Sequence, residues 1–128
     1  KIEFDSPKAL GLHEIKRPFS EEIESSETKF YRGSLRSGKK IEYEGSIVVL
    51  GDVNSGAEVI AGENIVIVGT LRGMAHAGAK GNRKAMISAV SIEAPQIRIA
   101  DIIKETEKEE EQETKTYAYI EENKMRIE

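Results

Sequence analysis

The stretch Ile47-Val48-Val49-Leu50-Gly51-Asp52-Val53 is followed by a second copy, Ile65-Val66-Ile67-Val68-Gly69-Thr70-Leu71, at an offset of 18. Each copy is a mostly β-branched run followed by Gly, a polar residue and an apolar residue. A unit repeated at so short a period cannot bury its own apolar face and must stack on its neighbours. Short runs ended by Gly favour strands. The repeat therefore predicts an all-β fold, a short solenoid of stacked coils.

The direction of the side chains follows from the same repeat. Side chains alternate across a strand, and because the offset is even, it preserves their direction from one copy to the next. A looser third copy of the repeat is expected after residues 81–84, and a coil of 18 residues fits three strands of about six residues around a triangular cross-section. Apolar residues at odd positions are expected to form the core: Ile47, Val49, Val53, Ala57, Val59, Ala61, Ile65, Ile67, Leu71, Ala75, Ala77, Ala79, Ala85, Ile87 and Ala89.

Apolar residues at even positions face the opposite way and form a second pattern. Stacked coils would align them as a patch on one outer face, and monomers rarely leave such a patch open to water. We expect a homodimer interface, isologous if a two-fold axis closes it. The alternative is that an appended segment of the chain covers the patch. The residues of the expected interface are Val48, Leu50, Val66, Val68 and Met86, with Val90 as a possible extension.

Composition narrows the function. The net charge of −4 disfavours nucleic acid as a main partner, and the absence of cysteine fits a cytoplasmic protein. No apolar run approaches the roughly 20 residues that a membrane-spanning helix needs. No spacing indicates a metal site, a phosphate loop or an activated nucleophile. We therefore expect a binding protein with no catalytic residue, metal or cofactor.

His76 is the residue that would indicate an enzyme if it had a catalytic role. Hexapeptide-type β-helices include acyltransferases with a catalytic histidine, but the longer repeat of this chain contains only a poor hexapeptide pattern. His76 occupies an even, outward position among small residues, and no acid–base partner is implied by its spacing. We expect a solvent-facing or interface histidine.

The ends of the chain differ in composition from the repeat. Residues 1–28 contain two prolines and a polar run, which predicts a linker, either a tether to a missing N-terminal domain or a disordered tail. The β-helical domain is expected at residues 29–128. Residues 104–115 hold six Glu and three Lys and predict a solvated loop or a short exposed helix. Alternating residues at 116–120 and 124–127 then predict a hairpin or coil that caps the open end.

Four segments resemble, in order and spacing, the C-terminal domain of MinC, the bacterial septum-site inhibitor of cell division. They are Arg36-Ser37-Gly38, residues 48–61, residues 64–69 together with 71–73 and 77–78, and residues 97–100, within a match from about residue 29 to residue 103. The resemblance implies a right-handed triangular β-helix that dimerises through one face. It also implies binding to MinD, an ATPase that sits on the membrane when ATP is bound, and antagonism of FtsZ assembly there. The chain would then reach the inner face of the cell membrane only through MinD.

The resemblance assigns the MinD site. In the family the Arg-Ser-Gly motif meets MinD, so that role falls by position on Arg36, Ser37 and Gly38. Arg36 offers a planar fork for a carboxylate, and Gly38 allows close approach or a positive φ. On the residues alone, a polar turn entering the first coil is the alternative. The remaining candidates for the site are Lys39, Gly56 and Glu58.

Two positions depart from the family pattern. Lys39 replaces the usual Gln and adds a charge that could attract an acidic partner. Met74 stands where some members carry a second basic residue that is associated with the acidic tail of FtsZ. Arg72 is left as the candidate for that contact.

Two functions remain to be compared. A MinC-type regulator predicts a dimer that binds MinD with ATP, and two-fold symmetry in both partners predicts alternating copolymers. A self-assembling scaffold such as a bactofilin, also a short-period β-helix, predicts filaments from the domain alone.

Overall fold

A computed structural model describes residues 27–106 and 113–128 of the chain. Over these residues the chain forms eleven strands and no helix, as the repeat predicts. Their bounds are β1 (Thr28–Arg32), β2 (Lys40–Tyr43), β3 (Ser46–Leu50), β4 (Glu58–Ala61), β5 (Ile65–Leu71), β6 (Met74–Ala77), β7 (Ile87–Ile92), β8 (Gln96–Ile99), β9 (Ile102–Glu105), β10 (Tyr117–Glu121) and β11 (Lys124–Ile127). β1 begins one residue before the expected start of the domain, and residues 1–26 of the expected linker lie outside the described residues.

The strands form two sheets whose parallel pairing produces stacked coils. Sheet A has the order β1-β3-β5-β7-β10-β11, and sheet B has the order β2-β4-β6-β8-β9. Ile47 pairs with Ile65, one repeat further along the chain, whereas Ile65 pairs with Ile87 across a longer step, so the third coil is longer than the second. In the first three coils the third side is shorter than the predicted strand of six residues. It is reduced to single bridges that align Leu35, Val53 and Leu71.

The core occupies the interior of these coils and is built from the odd-numbered apolar residues. Ile47, Val49, Ile65 and Ile67 are each at most 1% exposed, which confirms the predicted direction of the repeat. The other predicted core residues are buried as well, except for one. Ala79 is half-exposed because it lies in the turn that begins the longer loop of the third coil.

Polar side chains satisfy backbone groups where the coils turn. Asn64 is buried, and its Oδ1 accepts a hydrogen bond of 3.0 Å from the backbone N–H of Met86. The Ser46 hydroxyl accepts in turn from the backbone N–H of Asn64 at 3.1 Å. Asp52 plays the same part at another turn, where its carboxylate accepts a hydrogen bond from the backbone N–H of Thr70. Buried N–H groups need such acceptors, so these side chains fix one coil on the next.

The first coil is closed by aromatic residues. Tyr31 and Tyr43 pack against the core in partly buried positions. The Lys39 ammonium lies 5.9 Å from the centre of the Tyr31 ring, and the Lys29 ammonium lies 5.6 Å from that of Tyr43. The lysines keep this end polar while the rings cover the apolar interior.

The last coil is closed by antiparallel strands. β9 runs back along β8, and the hairpin of β10 and β11 adds to β7, which buries Ala118 and Met125. The predicted hairpin is therefore confirmed. The prediction of a loop or helix at residues 104–115 is wrong at its start, because Lys104 and Glu105 belong to β9. These two residues pair with Ile97 and Gln96, whose strand supplies the backbone partners. Residues 107–112 lie outside the described residues.

Candidate functional site

The first candidate surface is a corner where the short side of each coil meets sheet B. In the first coil this corner is the turn of residues 36–39, and in the second it is residues 54–57. The N–H of Gly38 donates to the carbonyl of Gly56 at 2.9 Å, so the two turns lie in direct contact. Asn54 holds them together through its backbone N–H and its side-chain amide, which both donate to the Leu35 carbonyl at 3.0 Å.

Glycine is required at two positions of this corner. Gly38 has φ +89° and Gly56 has φ +87°, values that residues with a Cβ rarely adopt. A Cβ on Gly38 would meet nothing within 4 Å, so its surface is open to an approaching partner. A Cβ on Gly56 would lie 3.0 Å from the Cβ of Ser37 and closer still to its hydroxyl. Gly56 therefore lets Ser37 rest directly on the second coil.

The corner carries an excess of positive charge. Arg36, Lys39 and Lys40 are exposed, and Lys40 forms an ion pair of 3.7 Å with Glu42. Glu58 is half-buried at the start of β4, where it pairs with Lys40 in the sheet register. Such a surface attracts acidic groups, and the guanidinium of Arg36 can bind a carboxylate in a fork-like pair.

The structure brings all the residues expected to bind MinD together at this corner. Residues 36–39 form the first turn, Gly56 contacts it from the second, and the N–H of Glu58 donates to the Lys39 carbonyl at 2.9 Å. Arg72 follows in the third coil, where its guanidinium lies 3.5 Å from the carboxylate of Glu93. The binding roles of these residues stay predictions.

The second candidate surface is the outer face of sheet A. Leu50 is 40% exposed and Val68 is 52% exposed, while Val48 and Val66 are half-buried beside them. Val90 of β7 continues the surface at 63% exposure. Met86 is half-buried immediately before β7. The expected interface residues thus lie on or at the margin of one sheet face, and their role in dimerisation stays a prediction.

Sequence reasoning missed one member of this face. Phe30 of β1 pairs with Val48 and is 66% exposed, which makes it part of the same apolar face. The signal was available, because Phe30 precedes Val48 by one length of the repeat. It was missed because β1 lacks the β-branched run that marks the next two coils.

His76 lies on the outer face of β6 and is half-buried. Its Nε2 is 3.0 Å from the carbonyl oxygen of Ala100, and Arg98 is its neighbour in sheet B. These contacts hold the imidazole ring in place. Neither of them is with a carboxylate that could assist the ring in acid–base catalysis. Within residues 27–106 and 113–128, no group of three or more His, Cys, Asp or Glu side chains could hold a metal ion. Nor does any described segment form a helix long and apolar enough to cross a membrane.

Fold and surfaces together define the class of the chain as a short β-solenoid domain with an apolar sheet face and a cationic corner. A family model described as "Septum formation inhibitor MinC, C-terminal domain" matches residues 29–128. The chain therefore belongs to the MinC C-terminal domain family.

Known proteins agree with this membership. The chain is 44% identical over 113 residues to a probable septum site-determining protein MinC from Persephonella marina, covering 88% of this chain and 57% of the relative. It is 50% identical over 104 residues to the protein of the same name from Caldanaerobacter subterraneus subsp. tengcongensis, covering 80% and 49%. The chain thus spans about half the length of these relatives.

A solved structure shares the fold. It is a chain of the MinC:MinD cell division protein complex from Aquifex aeolicus, with a TM-score of 0.74 and 35% sequence identity. The likeness covers 80% of this chain and 86% of that one.

Proposed function

We propose that this chain is the C-terminal domain of a cell-division inhibitor that binds ATP-bound MinD and helps to place the division septum. The observation that carries the proposal is the corner at residues 36–39, stacked on Gly56, in a chain with the fold of a protein from a MinC:MinD complex. The chain acts as an adaptor and not as an enzyme, and it needs no cofactor. A longer protein that contains it would bring inhibition of FtsZ assembly to MinD at the inner face of the membrane.

The contact with MinD is made by the cationic corner. Arg36 is exposed and available for a carboxylate of the partner, and Gly38 leaves the space beside it open. Ser37 is fixed over Gly56 and can donate or accept a hydrogen bond. Lys39 contributes charge, but its contact with the Tyr31 ring also serves to close the first coil. Arg36 and Gly38 are therefore the sharper tests of the site.

Dimerisation occurs through the outer face of sheet A. The face presents Leu50, Val68 and Val90 to solvent across three neighbouring strands, and a monomer has no reason to keep such a surface exposed. Two MinD sites on one dimer act together when MinD is held on a membrane, because the second contact forms at a high effective concentration. Alternating copolymers of this dimer and the MinD dimer follow as well, because each dimer has two-fold symmetry and two outward-facing sites.

The contact with the FtsZ tail falls on Arg72, in the same column of the corner as Arg36 and Asn54. Its ion pair with Glu93 is exposed and weak, so an acidic tail can compete for the guanidinium.

The test is a light-scattering or pull-down titration of the chain with MinD, in ATP and in ADP. We expect binding with ATP only, and loss of binding in Arg36→Ala and Gly38→Asp. Lys84→Ala is the matched control, because it removes an exposed cation from a turn at a distance from the corner. Normal binding by both corner variants would contradict the site. No binding in either nucleotide, with filaments from the chain alone, would favour the scaffold.

A further inference from the structure

We propose that the C-terminal hairpin forms part of the self-association face, with Tyr117 and Tyr119 of β10 packing against a second copy of the chain. The inference rests on the proposed dimer and adds two strands to its interface. The hairpin closes the last coil with one side of β10 and would contact the partner with the other.

The register of the sheet turns both tyrosines to the outer face. β10 runs antiparallel to β7, with Tyr117 opposite Ser88 and Ala118 opposite Ile87. Ala118 and Ile87 are fully buried, so their neighbours along each strand point away from the core. The tyrosines therefore stand on the same side of sheet A as Val90.

The two rings form an ordered platform. Their centres are 5.1 Å apart and their planes differ by 24°, a stacked arrangement, and both side chains are half-buried. The Tyr119 hydroxyl donates to the carboxylate of Glu128, just beyond β11, which restrains the ring before any partner arrives. Pre-ordered aromatic rings lose little freedom on binding, and tyrosine is enriched in protein interfaces.

The size of the face also favours including the hairpin. At a strand spacing near 4.8 Å and a rise near 3.3 Å per residue, the four strands β1, β3, β5 and β7 present a projected area of about 360 Å². Adding β10 and β11 raises that area to about 510 Å². A stable interface buries about 800 Å² of accessible surface on each partner. The six-stranded face comes closer to that requirement.

The experiment measures the dimer dissociation constant of the whole chain by sedimentation equilibrium. Tyr117→Thr/Tyr119→Thr removes both rings but keeps residues suited to a strand. We expect it to weaken dimerisation at least tenfold. Tyr117→Phe/Tyr119→Phe keeps the rings and should stay within threefold of the unmodified chain. Ile103→Thr is the matched control, since it removes an apolar side chain of 53% exposure from β9 in sheet B. It should leave the dimer unchanged.

The outcomes separate the inference from the dimer itself. Val68→Asp places a charge in the middle of the face and should abolish the dimer. If Val68→Asp dissociates the dimer while the double Thr variant remains as tight as the unmodified chain, the hairpin lies outside the interface and the inference is wrong. A monomeric unmodified chain, or a dimer unaffected by Val68→Asp, overturns the proposed interface together with the inference. Urea titration of each variant checks that the fold is retained.

Discussion

Two glycines at the candidate corner provide a matched pair for testing how the site is built. Gly38 and Gly56 have nearly equal φ angles, +89° and +87°, and they lie in adjacent coils joined by a hydrogen bond. They differ in their surroundings. A Cβ on Gly38 would meet nothing within 4 Å, whereas a Cβ on Gly56 would lie 3.0 Å from the Cβ of Ser37.

Substituting alanine for these two glycines should therefore lower the free energy of unfolding by different amounts. Gly38→Ala places an L side chain at a positive φ, which costs about 1–2 kcal/mol. Gly56→Ala carries the same backbone cost and a steric overlap worth about 1–3 kcal/mol more. The overlap should fall in the lower part of that range, because the Ser37 hydroxyl can rotate away. The Ser37 Cβ can move only with its backbone, so a part of the cost remains.

A double-mutant cycle isolates the steric part. We would measure the free energy of unfolding by urea titration for Gly56→Ala, Ser37→Gly and the double variant, with Gly38→Ala as the comparison. Removing the Ser37 side chain should relieve the overlap and leave the backbone cost, which gives a favourable coupling energy of about 1 kcal/mol or more. In a MinD titration, Gly56→Ala should also weaken binding, because the displaced Ser37 belongs to the proposed contact.

Either of two results would contradict this description of the corner. Equal destabilisation by Gly38→Ala and Gly56→Ala would mean that the close approach of the coils has no energetic consequence. A coupling energy within about 0.3 kcal/mol of zero would mean that Ser37 is not the group that excludes a Cβ.

Three further results are expected. Asn64→Ala should destabilise the fold by about 1–3 kcal/mol in urea titration, because the N–H of Met86 loses its acceptor. The hydrogen bonds from Arg83 hold the pKa of Asp101 below its usual value, so this ion pair stabilises the folded state. Its contribution is present above the unfolded-state pKa of Asp101 and is lost as pH falls through the folded-state pKa. Asp101→Asn should flatten the acid side of the pH–stability profile, and a variant that keeps the full acid dependence would contradict the pairing. The hydrogen bond to Glu128 raises the pKa of Tyr119 to about 12, so its stabilisation is complete below the usual tyrosine pKa and is lost as pH rises through the raised one. Spectrophotometric titration of the unmodified chain should show the ionisation of Tyr119 at this raised pKa, and that ionisation should be absent in Tyr119→Phe.

The sequence was most informative where the repeat is regular. The β-branched runs at residues 47–50 and 65–68 predicted strands, an even offset predicted a buried odd face, and Ile47 and Ile65 are fully buried as expected. The candidate site was also predicted from sequence, through the resemblance of Arg36-Ser37-Gly38 and Gly56 to a known family, and its binding role stays a prediction. Prediction was weaker where local composition and long-range pairing disagree. Lys104 and Glu105 belong to a highly charged run, yet β8 supplies backbone partners that make them a strand.

By itself, the sequence determined the all-β class, the coil period and the division into inner and outer faces, because a short even period and the alternation of side chains are both local properties. Only the tertiary structure decided which residues of different coils meet. It placed Ser37 over Gly56, Lys39 over the Tyr31 ring, and the C-terminal hairpin against β7. These contacts depend on the stacking register and on the antiparallel return of the last strands, which arise only when the coils pack around a common core.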